Sequence, residues 1–333
     1  MGVHPEDPGG RALRVPRRSP EGPKLERNPE PGRGRLSTLP PKPLTRFAPS
    51  PTGYLHLGHV ANAIYVWGIA RALQGRVLLR LEDHDRGRCR PEYEVALLQD
   101  LEWLGLEPDI GKPAEFRSDI SPYRQSNREA VYAAALRRLA QDAPVYPCDC
   151  SRKDVSSVSD VPDQETRYSG RCRDRELEPG EGRGMRVVFP PGVERFTDAK
   201  LGGQEQEPAL QCGDLLLRDR RGNWTYQFAV TVDDWGQGVD LVIRGEDLLG
   251  STGRQIRLAR MLGRTEPPAF FHHPLISNAS GVKLSKADGE TGIRELRAAG
   301  IKPGAVLGLA AHLTGLLDRP RELRSDQLAE LFH

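Results

Sequence analysis

Two histidines, a glycine and a proline-serine turn lie within fourteen residues, 46–59, which read RFAPSPTGYLHLGH. The apolar spacing of residues 60–73 predicts a helix, so His56 and His59 lie where a loop meets a helix N-terminus. Free backbone N–H groups and the helix dipole favour phosphate there. Imidazole N–H groups could stabilise charge that builds during displacement at an α-phosphorus, and Gly58 leaves room for a nucleotide. Two histidines at this spacing are more often surface or metal residues, but the turn before them makes the motif specific.

Two strand ends carry side chains that could bind a small amino acid. Residues 76–81 predict a buried parallel strand that ends at Glu82, and residues 239–243 predict a strand followed by Arg244. A strand, turn, helix and second strand begin a doubly wound sheet, whose ligands bind beyond the carboxyl ends of the strands. Glu82 could therefore hold an α-amino group, and Arg244 could bind a carboxylate through two hydrogen bonds. Taken alone, Glu82 is better explained as a polar strand terminus.

The remaining sequence predicts the elements that place these residues. Ser121 is a candidate N-cap, and the apolar face expected to pack inward from the helix after it is formed by Val131, Ala134, Ala135 and Leu139. Residues 214–219 and 224–232 predict a hairpin around residues 220–223, with Tyr226 in the second strand. Further helices are expected over 91–104, about 121–141, 254–262 and 294–317, and further strands over 186–189 and 274–277, the latter preceded by His272 and His273.

Three cysteines lie at a spacing that suits a metal ion. Cys148 and Cys150 form a CxC pair, and Cys172 follows later in the chain. Tetrahedral zinc needs a fourth donor, and Tyr168, four residues before the third cysteine, is the candidate. Such a site would be structural, because four protein donors leave no open position. Buried free thiols are the alternative explanation.

A lysine pair lies far downstream of the histidine motif. Lys283 and Lys286 flank Leu-Ser in the tetrapeptide KLSK. Two lysines on a mobile loop can neutralise triphosphate charge as pyrophosphate leaves. By itself KLSK is a common surface sequence. It indicates a functional loop only because it lies far downstream of the histidine motif.

Composition limits the classes of protein that the chain can belong to. The 333 residues carry a net charge of +2, and the sequence has no globally basic composition that would indicate nucleic-acid binding by the whole surface. Residues 1–43 are rich in proline, glycine and arginine and predict a disordered extension, with a basic RNA-binding arm as the alternative. We expect no membrane span, no signal peptide and a reducing cytoplasmic location.

Three stretches together resemble one enzyme family. The stretches 46–59, 225–256 and 283–286 are similar to glutamyl-tRNA synthetase, in which HLGH takes the place of the HIGH signature of class I aminoacyl-tRNA synthetases. The resemblance implies a Rossmann-like doubly wound α/β sheet with an inserted zinc-containing α/β subdomain and a short helical C-terminal part. It also implies the reaction of glutamate with ATP and Mg²⁺, with transfer from the adenylate to tRNA.

The family's functional residues map onto specific positions of this chain. Those implied to bind glutamate are Arg46, Phe47, Ala48, Pro49, Ser50, Glu82, Tyr226 and Arg244. Those implied to bind ATP are His56, Gly58, His59, Lys283, Ser285 and Lys286, of which His56, His59 and Lys286 would be catalytic. Those implied to hold one structural zinc ion are Cys148, Cys150, Tyr168 and Cys172.

One departure from the family pattern predicts the acceptor. Only 47 residues follow Lys286, too few for the helical anticodon-binding domain of an ordinary member. The chain therefore resembles the truncated branch of the family, which transfers glutamate to queuosine at the wobble position of tRNA(Asp) without needing tRNA for the activation step. We expect a monomer. The expected divisions are 1–43, the extension; 44–142 and 213–290, the two halves of the catalytic domain; 143–212, the zinc insert; and 291–333, a truncated helical segment.

Three other functions stay open from the sequence. A compact glutamyl-tRNA synthetase would charge a tRNA 3′ end, and a non-catalytic relative would only bind glutamate or tRNA. A general nucleotidyltransferase on the same fold would not need Glu82, Tyr226 and Arg244 together.

Overall fold

The computed structural model describes residues 36–117, 120–156, 167–276 and 292–333. The strands of this part are β1 (Leu44–Phe47), β2 (Arg76–Leu79), β3 (Val145–Cys148), β4 (Gly184–Val187), β5 (Glu194–Asp198), β6 (Gly202–Gln206), β7 (Leu215–Arg218), β8 (Leu241–Gly245) and β9 (Ala269–His273). Its α-helices are α1 (Leu57–Ala72), α2 (Pro91–Leu104), α3 (Pro113–Phe116), α4 (Glu129–Asp142), α5 (Arg152–Ser156), α6 (Pro208–Gln211), α7 (Tyr226–Gly236), α8 (Thr252–Met261), α9 (Ile293–Ala298) and α10 (Pro303–Leu313). Single 3₁₀ segments include Gln125–Asn127 and Ser325–Phe332.

Parallel strands form the layer that carries the predicted site. β1 pairs with β2, β8 pairs with β9 and β5 pairs with β9, all in parallel, while β6 runs antiparallel to β5. β1 lies beside β8, since Asp240 N–H donates to the Leu44 carbonyl at 3.1 Å. The α/β class is confirmed, and the sheets are mixed rather than wholly parallel.

A separate antiparallel sheet carries the cysteines. Its strands lie in the order β3, β4, β7, with Cys148 at the end of β3. A second hydrophobic core lies below it, built around Leu217, Phe228 and Leu258, each fully buried. This sheet therefore connects the cysteines to the second hydrophobic core.

Helix α1 passes through the main hydrophobic core. Its apolar residues are buried on every side, which is typical of a helix enclosed by other elements. The segment Ser325–Phe332 packs against it, and the Phe332 ring lies so close to Gly68 that a side chain there would clash. Of the predicted extension, residues 1–35 lie outside the described part, while Leu39 belongs to this core.

The hairpin predicted over 214–219 and 224–232 is wrong in its second half. Residues 226–236 form α7, not a strand, although Arg218 and Trp224 do form an isolated antiparallel bridge. The β-branched residues had indicated a strand, but Phe228 and Val232, four residues apart, lie on one helical face against the second core. Here the burial of side chains at helical spacing outweighs the intrinsic preference of these residues for a strand. Tyr226 therefore begins a helix.

The helix predicted from Ser121 begins eight residues later, at Glu129. The Ser121 hydroxyl accepts from Tyr123 N–H in a turn, and the chain then runs beside Leu81, whose carbonyl accepts from Gln125 N–H at 3.0 Å. These tertiary hydrogen bonds compete with an earlier helix start. The predicted inward face is also partly wrong: Val131 and Ala134 are exposed and Ala135 is half-buried, whereas Tyr132 and Leu139 are buried.

Two smaller expectations also change. His272 and His273 lie within β9 instead of preceding a strand, because they continue its pairing with Arg244 and Gly245 of β8. The helix expected over 294–317 is two helices, α9 and α10, because Pro303 starts a new helix after a left-handed Gly300. Arg244 accordingly lies inside β8 and not beyond its end.

Candidate active site

The two histidines of the HLGH motif cap helix α1. His56 Nδ1 accepts from Gly58 N–H at 3.1 Å, and His59 Nδ1 accepts from His56 N–H at 3.2 Å. The ring centroids are 3.9 Å apart. A Cβ atom on Gly58 would lie 2.9 Å from the His56 ring, so glycine is needed for the rings to hold this position. Because both Nδ1 atoms accept, each neutral ring carries its proton on Nε2, where it can donate to a phosphate.

The proline-serine turn is fastened to the segment that carries Glu82. Ser50 Oγ donates to the Glu82 carbonyl at 2.8 Å, and Glu82 N–H donates to the Pro49 carbonyl at 3.1 Å. Phe47, Ala48 and Pro49 therefore lead from the end of β1 to Glu82, three residues beyond the end of β2. The predicted order, strand, turn and helix N-terminus, is what the structure has.

A buried ionic cluster holds Arg46 and Glu82 together. Asp234 of α7 accepts from Arg46 Nε at 3.1 Å and from Arg80 Nη1 at 2.8 Å. Arg80, which is fully buried, also donates through Nη2 to Glu82 at 3.2 Å and lies 3.8 Å from Asp233. Opposite charges alternate through the cluster, so each buried charge has a partner. Sequence reasoning assigned no role to Arg80 or Asp234.

Four of the residues predicted to bind glutamate converge electrostatically. Burial raises the pKa of Tyr226, the Glu82 carboxylate raises it further, and Arg244 and Arg46 lower it. Burial also raises the pKa of Glu82, which Arg80, His84 and Arg46 partly offset. Charge effects of this kind act between nearby groups, so Tyr226, Glu82, Arg244 and Arg46 lie near one another, although they come from α7, the segment after β2, β8 and β1.

Arg244 is a buried arginine whose hydrogen-bond partners are all neutral. It is 3% exposed, and its guanidinium donates to His272 Nε2 at 3.0 Å, Gln255 Oε1 at 2.7 Å and Thr252 Oγ1 at 2.8 Å. All three acceptors are neutral, and no carboxylate lies within ion-pair distance of it among the residues that the structure describes. Burial lowers the pKa of Arg244. A buried cation of this kind favours an anionic ligand.

The three predicted cysteines come together with Tyr168. Their sulfur atoms lie within 4.8 Å of one another, and Cys150 Sγ is 3.5 Å from Cys172 Sγ. Tyr168 Oη lies 3.5 Å from Cys148 Sγ and 4.0 Å from Cys150 Sγ. Three thiols and one phenol oxygen facing one point form a donor set that fits a tetrahedral zinc ion.

Arginine side chains contact two of the three sulfur atoms, those of Cys148 and Cys172, whereas burial and the neighbouring thiols raise the pKa of Cys150 to about 12. Arg186 Nε donates to Cys148 Sγ at 3.3 Å, and its guanidinium lies 3.7 Å above the Tyr168 ring. Burial raises the pKa of Cys148, but the hydrogen bonds from Tyr168 and Arg186 outweigh it and the net pKa is lowered. Metal ligation requires the deprotonated thiol, so the environment of Cys148 suits a metal ion.

The remaining predicted residues, Lys283, Ser285 and Lys286, lie outside the described part of the chain. None of the helices described there is long and apolar enough to cross a membrane.

The fold and the site together belong to a known class of enzyme. Residues 42–319 match the family described as "tRNA synthetases class I (E and Q), catalytic domain", so the chain belongs to that family and is a ligase-type enzyme. The resemblance to the glutamyl-Q branch is also confirmed. The chain is 40% identical to the Glutamyl-Q tRNA(Asp) synthetase of Symbiobacterium thermophilum, over 86% of this chain and 91% of that protein.

The chain is also similar to a glutamate–tRNA ligase in sequence and to a glutamate-tRNA synthetase in structure. The Glutamate--tRNA ligase 2 of Syntrophus aciditrophicus is 38% identical over 85% of this chain, which spans 60% of that protein. The crystal structure of the glutamate-tRNA synthetase from Elizabethkingia anophelis superposes with a TM-score of 0.70 at 27% identity, over 87% of this chain and 65% of that one. The catalytic fold is thus shared with both branches.

Proposed function

We propose that the protein activates L-glutamate with ATP, without needing tRNA, and transfers the glutamyl group to queuosine at the wobble position of tRNA(Asp). The observation that carries this proposal is the buried Arg244, whose described partners are all neutral. A guanidinium has five N–H groups, and three are used, which leaves two for a carboxylate. Glutamate offers two carboxylates and an ammonium group, and the site offers Arg244, Arg46 and the Glu82 carboxylate.

The activation step needs positioning and charge stabilisation more than a protein nucleophile. The α-carboxylate of bound glutamate would attack the α-phosphorus of ATP, forming a C–O–P anhydride and releasing pyrophosphate with Mg²⁺. His56 and His59 would donate from Nε2 to the phosphate oxygens as charge builds, beside the N–H groups of the first turn of α1. Lys283, Ser285 and Lys286 keep their predicted roles in holding the triphosphate, with Lys286 acting on the leaving pyrophosphate.

The transfer step uses the mixed anhydride as its energy source. A hydroxyl on the cyclopentene ring of queuosine would attack the activated carbonyl, forming an ester and releasing AMP. Support for this acceptor comes from the glutamyl-Q relatives, which share 40–42% identity with the chain over most of their own length. We propose a structural zinc ion held by Cys148, Cys150, Tyr168 and Cys172, which when bound would fix the β3 end of the insert.

The decisive experiment follows labelled glutamate. Two samples of tRNA(Asp), one with queuosine and one without, are incubated with the protein, ATP and labelled glutamate, and the label is located by nuclease mapping. The proposal predicts glutamate-dependent pyrophosphate exchange without tRNA, and label in the anticodon loop of the queuosine sample alone. Label at the 3′ end, whether or not queuosine is present, would instead identify a compact glutamyl-tRNA synthetase. Absence of exchange would identify a non-catalytic relative.

The similarity to glutamate–tRNA ligases makes 3′-end charging the second candidate. Periodate oxidation of the tRNA 3′ end is the control for it, with the queuosine diol protected because periodate attacks that diol as well. A sample whose 3′ end is oxidised should still accept glutamate if the proposal is right.

A further inference from the structure

A carboxylate and an imidazole lie in line behind Arg244. Asp198, at the end of β5, accepts from His272 Nδ1 at 2.6 Å and from His272 N–H at 3.0 Å. On the other side of the ring, His272 Nε2 lies 3.0 Å from Arg244 Nε. Asp198 and His272 are 1% and 0% exposed, so neither can exchange these partners for water. Three parallel strands, β5, β9 and β8, each contribute one member of the line.

The hydrogen bonds around Asp198 fix which nitrogen of His272 carries the proton. Asp198 Oδ1 accepts from Lys200 N–H at 3.0 Å and from Leu201 N–H at 2.8 Å. With two further bonds to His272, the carboxylate accepts four hydrogen bonds and has no proton to give. The ring must therefore donate from Nδ1, which leaves the Nε2 lone pair facing the Arg244 Nε–H.

The neutral ring is also the form that the surroundings favour. Burial lowers the pKa of His272, the hydrogen bond to Asp198 raises it, and the positive charges of Arg244 and Arg46 lower it, with a lowered pKa as the result. A protonated ring would place an Nε2–H against the Arg244 N–H. The uncharged groups Thr252 and Gln255 of α8 complete the set of acceptors around the guanidinium.

We infer that Asp198 and His272 are positioning residues that hold Arg244 in the orientation that binds the carboxylate of the amino-acid substrate. Neither residue needs to touch the substrate. Asp198 sets the tautomer of His272, His272 accepts from Nε, and the two remaining N–H groups of Arg244 are left for the substrate. This inference rests on the proposed function, because it names what orients the carboxylate-binding group of that same site.

The inference predicts that loss of either positioning residue raises KM for glutamate and leaves KM for ATP nearly unchanged. In glutamate-dependent pyrophosphate exchange, Asp198→Asn would let the ring carry its proton on Nε2, and His272→Leu would remove the acceptor. Each should raise KM for glutamate about 10-fold to 100-fold, the size expected for one lost hydrogen bond to a charged group. KM for ATP should stay within about 2-fold, because the histidine cap of α1 is untouched.

Two matched variants separate positioning from folding. His272→Gln offers an amide oxygen to Arg244 and should recover a large part of the KM that His272→Leu loses. His273, the neighbouring buried residue of β9, stacks on Tyr65 and does not contact Arg244. His273→Leu should lower the melting temperature as much as His272→Leu does and leave KM for glutamate unchanged.

The result that would overturn the inference is an active wild-type protein with unchanged KM for glutamate in Asp198→Asn and His272→Leu. Equal rises in both KM values, without recovery in His272→Gln, would also overturn it, since general disorder of the site would then explain the loss. If His272→Leu does not fold, Asp198→Asn decides alone, because it keeps the size of the side chain: it should raise KM for glutamate, and an unchanged value rejects the inference. A wild-type protein without exchange would reject the proposed function and the inference together.

Discussion

Replacing Arg80 with methionine tests whether the buried ionic cluster is needed to hold the site together. Arg80 is fully buried, with Asp234 at 2.8 Å and Glu82 at 3.2 Å. Methionine has a similar length and no charge, so the change removes the guanidinium with little change in packing. Within the described part of the chain, Glu82 would then have no ion-pair partner, and Asp234 would keep only Arg46.

The cost follows from leaving buried carboxylates unpaired. Breaking a buried pair by removing one partner destabilises a protein by about 3–5 kcal/mol, which is a large part of a typical total of about 5–15 kcal/mol. The matched control is Arg88→Met, because Arg88 forms an ion pair with Asp85 at 2.7 Å while 71% exposed. A surface pair of that kind contributes about 0–1 kcal/mol. The contrast between the two variants is therefore expected to be several-fold.

The stability loss of Arg80→Met should depend on pH, because removing Arg80 changes the pKa of Glu82. Burial raises the pKa of Glu82 and Arg80 is the largest influence that lowers it, so losing Arg80 should raise this pKa further. A carboxyl whose folded pKa lies above its unfolded value costs stability as the pH rises between the two values. The deficit of Arg80→Met should thus be smaller near about pH 5 than near about pH 7.5. A protonated Glu82 should also weaken glutamate binding.

Urea unfolding followed by circular dichroism measures the free energy of unfolding of both variants at the two pH values. The reasoning would be refuted by a loss below about 1 kcal/mol in Arg80→Met, or by a loss equal to that of the surface control. A deficit that grows on acidification would refute the assignment of the cost to unpaired carboxylates.

Three further predictions concern other parts of the molecule. Cys172→Ser should lose the one zinc ion per chain expected from elemental analysis, whereas Cys212→Ser, whose thiol lies outside the cluster, should retain it. Gly68→Ala should cost about 1–3 kcal/mol in urea unfolding, since its Cβ would overlap the Phe332 ring, while Gly203→Ala, with open space around it, should not show that loss. Burial raises the pKa of Asp100 to about 6, so its ionisation costs stability as the pH rises from about 4 to about 6; Asp100→Asn should therefore raise the urea midpoint at neutral pH, and this gain should vanish in acid.

Local sequence patterns predicted the chemistry-bearing motifs better than the elements between them. The strand to Phe47, the helix after the HLGH motif and helix 91–104 follow from apolar spacing and from proline and glycine at their ends. The convergence of the three cysteines was predictable because a CxC pair followed 22 residues later by a third cysteine is a spacing that suits a metal ion. For the strand and the two helices, the information lies within about a dozen residues.

The parts that sequence reasoning missed depend on contacts between distant residues. Residues 226–236 contain enough β-branched side chains to favour a strand, and only their burial against α8 and the second core makes them a helix. Arg80 and Asp234 lie 154 positions apart in the chain, yet they form one ion pair. A charged residue within an apolar predicted strand and two aspartates directly after the apolar stretch 224–232 were the available signals. They show that a buried partner exists, but not which one it is.

The mutual cap of His56 and His59 has a consequence for any mutational study of the motif. The same two rings that would face the phosphates also cap the N-terminus of α1, because their Nδ1 atoms accept hydrogen bonds from backbone N–H groups. An alanine at either position would therefore remove a helix cap and a phosphate donor at once, and a lost activity would not distinguish them. Asparagine at residue 56 would keep an oxygen for the backbone N–H and lack the distal nitrogen. Only a substitution that keeps one of these two roles, the helix cap or the phosphate donor, can separate the structural role of the histidines from their chemical role.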